Sequence, residues 1–313
     1  MSIKKKKILF KEFGPLVGFS SACSSAIRFP MAITRWKDRC ILCWLKEHYG
    51  DIVQKYKQNN AWIINAEKPI EPAPIWSVWW QGEENAPEMV KMCFASVNRH
   101  RGKHPFIIIT KDNYQEYVSL PEHILQKVNS GILSLTHFSD IIRLYLLTHY
   151  GGLWLDATIY VADTIQDVIF TSNFYSIKNG FNPRSHAVTQ GRWSSFLQAA
   201  QKGSPLCSFA LDYQIAYWEK QTTPIDYILI DYFYALAYEE LPECRELLDS
   251  VPVNNKMIES LRPLLNKVWS PSVLSDLTAD TTFFKLTWKQ NFEKTVSGCE
   301  TVYGHLVKDI GVK

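Results

Sequence analysis

The chain has 313 residues, of which 46% are hydrophobic and 21% charged, and its formal net charge is +3. This composition is typical of a globular protein and excludes a disordered chain, which would carry fewer apolar residues and more net charge. A net charge of +3 is too small to indicate nucleic-acid binding. The charge is uneven, however, because residues 1–57 carry 12 basic and 4 acidic side chains and the rest carries 22 and 27.

The N-terminus has a run of lysines at residues 4–7 and then three apolar residues, which Lys11 and Glu12 interrupt. A secretory signal peptide would need a longer apolar core, and no later run reaches the roughly 18 apolar residues that a membrane-spanning helix needs. We therefore expect a cytoplasmic protein without a membrane span. Its basic segment, residues 1–57, is expected either to be solvated or to contact an anionic membrane peripherally.

Residues 35–57 place apolar and charged side chains at helical spacing, which predicts an amphipathic helix with a basic polar face. Such a helix most often packs on the following domain, and binding to a membrane surface is the alternative. The Pro-rich stretch at residues 69–74 predicts a linker. We therefore divide the chain into a basic N-terminal extension, residues 1–68, and a main domain, residues 69–313.

The main domain begins with alternating strands and helices. Apolar runs at residues 75–80 and 105–110 predict buried strands, and the segment from Pro87 to about residue 99 predicts a helix with proline in its first turn. This order implies a mostly parallel sheet and an α/β fold. Further helices are predicted at residues 121–130, 137–149, 205–220, 226–240 and 242–249, and further strands at residues 153–155, 173–178 and 283–286.

The segment at residues 137–158 is the most informative for function. Asp140 and Arg143 share one helical face, a double glycine at residues 151–152 ends the helix, and a short strand then ends at Asp156. Ligands of open α/β sheets bind at this end of the strands. A carboxylate there suits a divalent cation and an arginine suits a phosphate, although each feature alone is common in purely structural roles. Together they predict a site for a nucleotide-diphosphate sugar.

Three blocks of the sequence resemble the bacterial capsular polysaccharide synthesis proteins, which are glycosyltransferases with a DxD motif. The blocks lie at residues 75–87, 137–143 and 150–158, with a weaker match at 225–232. The resemblance spans about residues 70–290. It implies a GT-A fold, which is a Rossmann-like α/β domain, and a nucleotide-sugar substrate, most often a UDP-sugar, used together with Mn²⁺ or Mg²⁺.

The resemblance also implies roles for individual residues. Ser139, Asp140 and Arg143 match the family's S-D-x-x-R, which faces the sugar and the diphosphate. Asp156 matches the first Asp of the DxD motif, and Thr158 replaces the second. The metal is therefore expected on Asp156 and Thr158, with a weaker ligand at the second position. The alternatives are that Asp156 binds the metal alone, through water, or together with a later residue.

Other positions match the family less closely. Trp79, Trp80 and Gln81 follow the first strand, where the family holds the nucleobase, although either tryptophan could equally be a core residue. Three late residues resemble positions that close over the diphosphate in such enzymes: Lys285, Lys289 and His305.

Asp226 and Asp231 fall in an apolar, aromatic stretch predicted to be helical. A carboxylate in such surroundings must be paired, hydrogen-bonded or functional. Either residue could line the acceptor pocket, and an inverting transferase would need one of them as its base.

The sequence therefore predicts a glycosyltransferase that moves a hexose to a glycan acceptor, lipid-linked or free, in bacterial capsular or surface polysaccharide synthesis. Retention of anomeric configuration is expected from the family, with Asp140, Arg143 and Asp231 as catalytic residues. Two alternatives stay open: a non-catalytic nucleotide- or glycan-binding module, suggested by the missing second Asp, and an inverting transferase that uses Asp226 or Asp231.

Overall fold

The structure, a computed structural model, describes residues 3–25, 31–58 and 72–311. Much of the predicted linker at 69–74, and the predicted boundary between residues 68 and 69, lie outside these ranges. The helices are α1 (Ile3–Ser25), α2 (Met31–Gln58), α3 (Glu88–His100), α4 (Tyr114–Tyr117), α5 (Glu122–Asn129), α6 (Leu135–His149), α7 (Asp167–Thr171), α8 (Pro205–Lys220), α9 (Leu229–Glu240), α10 (Pro242–Ser250), α11 (Pro271–Thr278) and α12 (Val302–Ile310). The strands are β1 (Ile75–Val78), β2 (Phe106–Ile109), β3 (Gly152–Leu155), β4 (Ile159–Val161), β5 (Phe174–Ser176), β6 (Leu197–Ala200), β7 (Phe283–Lys285), β8 (Thr295–Val296) and β9 (Cys299–Glu300).

The central sheet has the strand order β2-β1-β3-β6-β5. Strand β1 is parallel to both β2 and β3, whereas β6 is antiparallel to its neighbours β3 and β5. Four strands therefore run in one direction and β6 runs against them. The structure confirms the predicted α/β class, with a mostly parallel central sheet and helices at the N-terminus.

The double glycine between α6 and β3 is required by its backbone conformation and by the close approach of the neighbouring strands. Gly151 and Gly152 have φ angles of 70° and 97°, which residues with a side chain rarely adopt. A Cβ atom on Gly152 would lie 2.2 Å from the carbonyl oxygen of Pro74, just before β1. Glycine at this position thus lets β3 pair directly with β1.

The predicted late strand is present as β7, but it pairs with β4 outside the central sheet. The two strands are antiparallel, and Lys285 lies opposite Ile159. Because β4 begins soon after β3 ends, this pairing brings Lys285 close to the carboxyl end of β3.

The predicted amphipathic helix is α2, and it packs on the main domain. Ile41 and Leu45 are fully buried in the same apolar cluster as α8 and α9. Asp38 of α2 accepts a hydrogen bond of 2.7 Å from the Tyr232 hydroxyl of α9. Ion pairs also join α2 to acids of the main domain: Lys37–Asp226, Lys46–Glu240, Lys55–Asp212 and Lys57–Glu240. Part of the basic polar face is therefore paired within the molecule.

The prediction that residue 226 begins a helix is wrong. Helix α9 begins at Leu229, and Asp226 lies in the preceding loop, where its carboxylate accepts a hydrogen bond from the backbone N–H of Ile228 at 3.3 Å. An aspartate that bonds to the backbone two residues farther on favours a turn over a helix. Within residues 3–25, 31–58 and 72–311, no helix is both long and apolar enough to cross a bilayer.

Candidate active site

A cleft of about 470 Å³ lies at the carboxyl ends of β1 and β3. Ligands bind at this edge in open α/β sheets. The cleft is lined by residues that follow β1, residues that follow β3, and parts of α6, α9 and the segment after β7. The predicted site residues that line it are Trp79, Trp80, Gln81, Ser139, Asp140, Arg143, Asp156, Thr158, Asp231, Lys285 and Lys289. The structure thus brings these residues together, and their individual roles stay predictions.

Asp156 lies at the centre of the charged wall of the cleft. Its Oδ1 accepts hydrogen bonds from Nη2 of Arg143 at 2.9 Å and from the Trp154 indole at 3.0 Å, and its Oδ2 accepts one from Nζ of Lys285 at 2.8 Å. Burial opposes the charge of Asp156, but Lys285 and Arg143 outweigh burial and hold its pKa below the ordinary value. This carboxylate is therefore ionised and has a cation on each oxygen.

Arg143 lies between two carboxylates and is only 3% exposed. Its Nη1 is 3.0 Å from Oδ1 of Asp140, and its guanidinium lies 4.9 Å from the centre of the Trp154 ring. Burial raises the pKa of Asp140 to about 7, and the charges of Asp156 and Asp231 act in the same direction against Arg143. Burial thus favours the protonated form of the Asp140 carboxyl, whereas its ion pair with Arg143 favours the ionised form.

Asp231 is in the first turn of α9 and faces the same cleft. Its Oδ1 accepts a hydrogen bond of 3.0 Å from the Trp193 indole. Burial raises the pKa of Asp231 to about 6, although the Trp193 hydrogen bond and Arg143 oppose the shift. A carboxyl group with a raised pKa in a cleft is a candidate for proton transfer or sugar binding.

Aromatic side chains form the other wall of the cleft. The rings of Trp79 and Trp288 are 5.9 Å apart and nearly perpendicular, and Trp80 packs on Tyr114 and Phe138. The indole N–H of Trp79 is buried and has no hydrogen-bond partner within the described part of the chain. It is thus available to a ligand.

Two side chains considered from sequence lie away from the cleft. Asp226 forms an ion pair with Lys37 of α2 at 2.9 Å. Of the two candidate aspartates, Asp226 and Asp231, only Asp231 therefore lines the cleft. His305 stacks on Trp269, with ring centres 3.7 Å apart, so the expectation that it closes over a diphosphate does not fit its position.

The sequence does not identify Trp193, and it includes Trp288 only as part of the segment at residues 285–289. Trp193 comes at the end of the long connection between β5 and β6, and Trp288 follows β7. Neither follows a strand of the parallel set, which is the signal that identifies Trp79, Trp80 and Asp156. The interrupted Lys-x-x-Trp-Lys pattern at residues 285–289 could have suggested Trp288.

The predicted metal pair does not fit a divalent cation well. Hard divalent cations require several oxygen ligands, whereas both Asp156 oxygens are bound by cationic side chains and Thr158 contributes no charge. No group of three or more His, Cys, Asp or Glu side chains in the described ranges could hold a metal ion. The metal on Asp156 and Thr158 thus stays a prediction that the donor set does not favour.

The family model of the capsular polysaccharide synthesis proteins matches residues 27–306. This match is longer than the resemblance found from motifs at both ends, because it includes α2 and extends from about residue 290 to residue 306.

The chain is 31% identical over 103 residues to the O-glycosyltransferase PaGT of Phomopsis amygdali, an alignment that covers 30% of this chain and 25% of the relative. It is 25% identical over 117 residues to the O-glycosyltransferase braB of Annulohypoxylon truncatum, which covers 34% and 28%. The matches thus span about a quarter of each relative. Among solved structures, the PaToxG Glycosyltransferase is similar with a TM-score of 0.42 and 13% identity, over 66% of this chain and 89% of that chain.

Proposed function

This chain belongs to the capsular polysaccharide synthesis protein family, and we propose that it is a glycosyltransferase acting in bacterial capsular or surface polysaccharide synthesis. It would move a hexose from a nucleotide-diphosphate sugar, most often a UDP-sugar, to a free or lipid-linked glycan. The observation that carries the proposal is the convergence of Arg143, Lys285 and Asp156 beside two carboxyl groups at the carboxyl edge of a mostly parallel sheet.

The cleft suits the parts of such a substrate. Its volume of about 470 Å³ lies within the usual range for small-molecule sites. Arg143 and Lys285 would bind the diphosphate, because a guanidinium and an ammonium group form strong charge-assisted hydrogen bonds with phosphate oxygens. Trp79 and Trp80 would contact the nucleobase, and Asp140 would accept hydrogen bonds from sugar hydroxyls.

The reaction breaks the bond between the anomeric carbon and the diphosphate oxygen, and the electron pair stays on the diphosphate. The acceptor hydroxyl oxygen forms the new bond to the anomeric carbon, and its proton goes to the departing diphosphate when configuration is retained. Fixed cations beside the diphosphate stabilise the charge that grows during this step. This role would fall to Arg143 and Lys285 inside the cleft and to the exposed Lys289 at its rim.

An inverting transferase is the second candidate, and the position of Asp231 supports it. Asp231 lines the cleft and its pKa is raised to about 6, which suits a general base near neutral pH. In that case the acceptor proton goes to Asp231. The anomeric configuration of the product, determined by NMR, distinguishes the retaining from the inverting transferase. A product with retained configuration would exclude Asp231 as the base of an inverting displacement.

The proposal is tested by incubating the purified protein with UDP-, GDP- and ADP-sugars and glycan acceptors. We expect transfer or slow hydrolysis of one sugar nucleotide, and Asp156→Asn should lower that rate by about a hundredfold or more because both cations lose their anchor. Asp163→Asn is the matched control, since Asp163 is exposed and lies outside the cleft. A protein that binds a nucleotide diphosphate without transfer or hydrolysis would instead be a binding module.

We also propose peripheral contact with the anionic inner face of the plasma membrane through α1. Leu16 and Phe19 expose 68% and 56% of their surface, and Lys7 and Lys11, which precede the break of α1 at Gly14, are exposed as well. Because truncation of residues 1–57 would also remove core side chains of α2, surface substitutions are the better test. The double variant Leu16→Ser/Phe19→Ser should sediment less with anionic vesicles in low salt than wild type, and equal sedimentation would refute the contact.

A further inference from the structure

We infer that Lys285 and Arg143, both held on Asp156, supply the positive charge that binds the diphosphate, so that nucleotide-diphosphate binding needs no divalent cation. This inference rests on the proposed function and identifies the charge at its site. It replaces the predicted metal on Asp156 and Thr158 with a cation that belongs to the chain.

The first support is that both carboxylate oxygens of Asp156 are already bonded to cationic side chains. Arg143 binds one oxygen of Asp156 at 2.9 Å and Lys285 binds the other at 2.8 Å. A divalent cation on Asp156 would have to displace one of these side chains or lie next to it. Like charges at such short distances repel each other, and the partial burial of Asp156 and Lys285, whose side chains are 28% and 20% exposed, weakens the screening by water.

The second support is that Lys285 is built into the fold. It is the last residue of β7, its backbone N–H donates to the carbonyl of Ile258 at 2.8 Å, and the next N–H donates to the carbonyl of Thr158 at 2.8 Å. Its ammonium group lies 4.9 Å from the centre of the Phe196 ring. These contacts fix the lysine beside Asp156, as a bound cation would be fixed.

The third support is the charge of the side chains at positions 158 and 285, which lie close together beside Asp156. A DxD motif would place a second carboxylate at position 158, whereas this chain has the neutral Thr158 there. The backbone carbonyl of Thr158 accepts a hydrogen bond from Leu286, which directly follows the cationic Lys285, and Lys285 itself lies opposite Ile159 in the β4–β7 pair. The site thus has one negative charge fewer than the motif and a positive charge beside it, which disfavours a divalent cation and favours an anion.

The side chain of Arg143 can still donate hydrogen bonds to a ligand. Its Nε is buried and has no hydrogen-bond partner in the part of the chain that the structure describes. The phosphate oxygens of a diphosphate are suitable acceptors for guanidinium N–H groups. Arg143 and Lys285 would therefore bind the diphosphate while they remain on Asp156.

Calorimetric titration of the full chain with UDP, GDP and ADP tests this inference without requiring turnover. For the diphosphate that binds, we expect the Kd in Mn²⁺ and in EDTA to agree within about threefold. Lys285→Ala should weaken binding by about tenfold or more in EDTA, the loss expected for one charged hydrogen bond. Lys256→Ala is the control, because Lys256 is exposed and outside the cleft, and circular dichroism checks that each variant is folded.

The double variant Thr158→Asp/Lys285→Ala tests the exchange of charge directly. It recreates two carboxylates at positions 156 and 158 and removes the competing ammonium group. We expect it to bind the diphosphate in Mn²⁺ more tightly than in EDTA, unlike wild type. A lysine with only a structural role would not produce this change in metal dependence.

The possible outcomes distinguish the inference from the proposed function. Wild-type binding that is lost in EDTA and restored by Mn²⁺ would overturn the inference and leave the proposed transferase intact. Equal binding by Lys285→Ala and wild type in EDTA would also overturn it. Failure of all three diphosphates to bind, with or without metal, would refute the proposed function together with the inference.

Discussion

Two regions of this molecule carry the same pattern, an acid followed three residues later by an arginine. In α6, Asp140 and Arg143 are buried in the cleft, with Oδ1 and Nη1 3.0 Å apart. In the loop before α11, Glu259 and Arg262 lie 3.6 Å apart, and their side chains are 52% and 44% exposed. Exposed pairs contribute little to stability, whereas removal of one buried partner leaves an uncompensated charge. Burial, and not spacing, therefore distinguishes the candidate site.

The cleft pair differs in a second way, because its arginine is shared. Arg143 contacts Asp140 and Asp156, and Asp156 also binds Lys285. Within the described residues, no further ion pair extends the exposed pair of Glu259 and Arg262. Shared buried charges are difficult to explain as stabilising devices, since apolar packing is often as stable as a buried ion pair. Their convergence on one cleft favours a role in binding.

The largest effect is expected for Arg143→Ala. The buried Asp140 would lose its ionic partner and the partly exposed Asp156 would lose one of its two cations, so the free energy of unfolding should fall by about 3 kcal/mol, and transfer should be lost. Urea unfolding gives the first quantity and a sugar-transfer assay gives the second. A stable and fully active Arg143→Ala protein would show that the buried pair matters no more than the exposed one.

A smaller, pH-dependent effect is expected for Asp231→Asn. Burial raises the pKa of Asp231 from 3.8 to about 6, so the folded state binds more protons than the unfolded state between these values. This group therefore makes wild type less stable as pH rises through that window. Asparagine can keep the contact with Trp193 without this cost.

The Asp231→Asn variant should thus gain stability relative to wild type by on the order of 1 to 3 kcal/mol as pH rises from about 4 to about 8. Urea unfolding at both pH values measures the gain, with the exposed Asp276→Asn as the control for loss of one carboxylate. If the difference in free energy of unfolding between Asp231→Asn and wild type did not change with pH, the pKa of Asp231 would be the same in the folded and the unfolded state.

Much of the site could be predicted because its residues follow a local rule. Asp156 and the tryptophans at positions 79 and 80 come directly after strands that are readable from apolar runs, and parallel strands end at the same edge. Arg143 could be predicted from helical spacing after Asp140. The same local information predicts β1, β2, β3 and β5 of the central sheet, because their apolar runs are clearly bounded. It does not predict β6, the antiparallel strand between β3 and β5.

The remaining features depend on contacts between distant parts of the chain. Lys285 could be assigned to a strand, but its partner strand β4, and hence its position beside Asp156, is a tertiary property. Trp193 reaches Asp231 from a long connection without a periodic pattern. Likewise, the basic face of α2 was visible in the sequence, but its acidic partners are more than 150 residues away. The start of α9 was misjudged because the side chain of Asp226 forms a local turn.

The smallest effect is expected for Arg262→Ala, which is matched to Arg143→Ala in residue type and spacing. Arg262 and Glu259 are both largely solvated, so loss of the pair should change the free energy of unfolding by no more than about 0.5 kcal/mol, without an effect on transfer. The same urea and transfer assays apply. If Arg262→Ala proved as damaging as Arg143→Ala, burial could not be the property that separates the two regions, and the assignment of the cleft would then depend on the tryptophans and Asp156 alone.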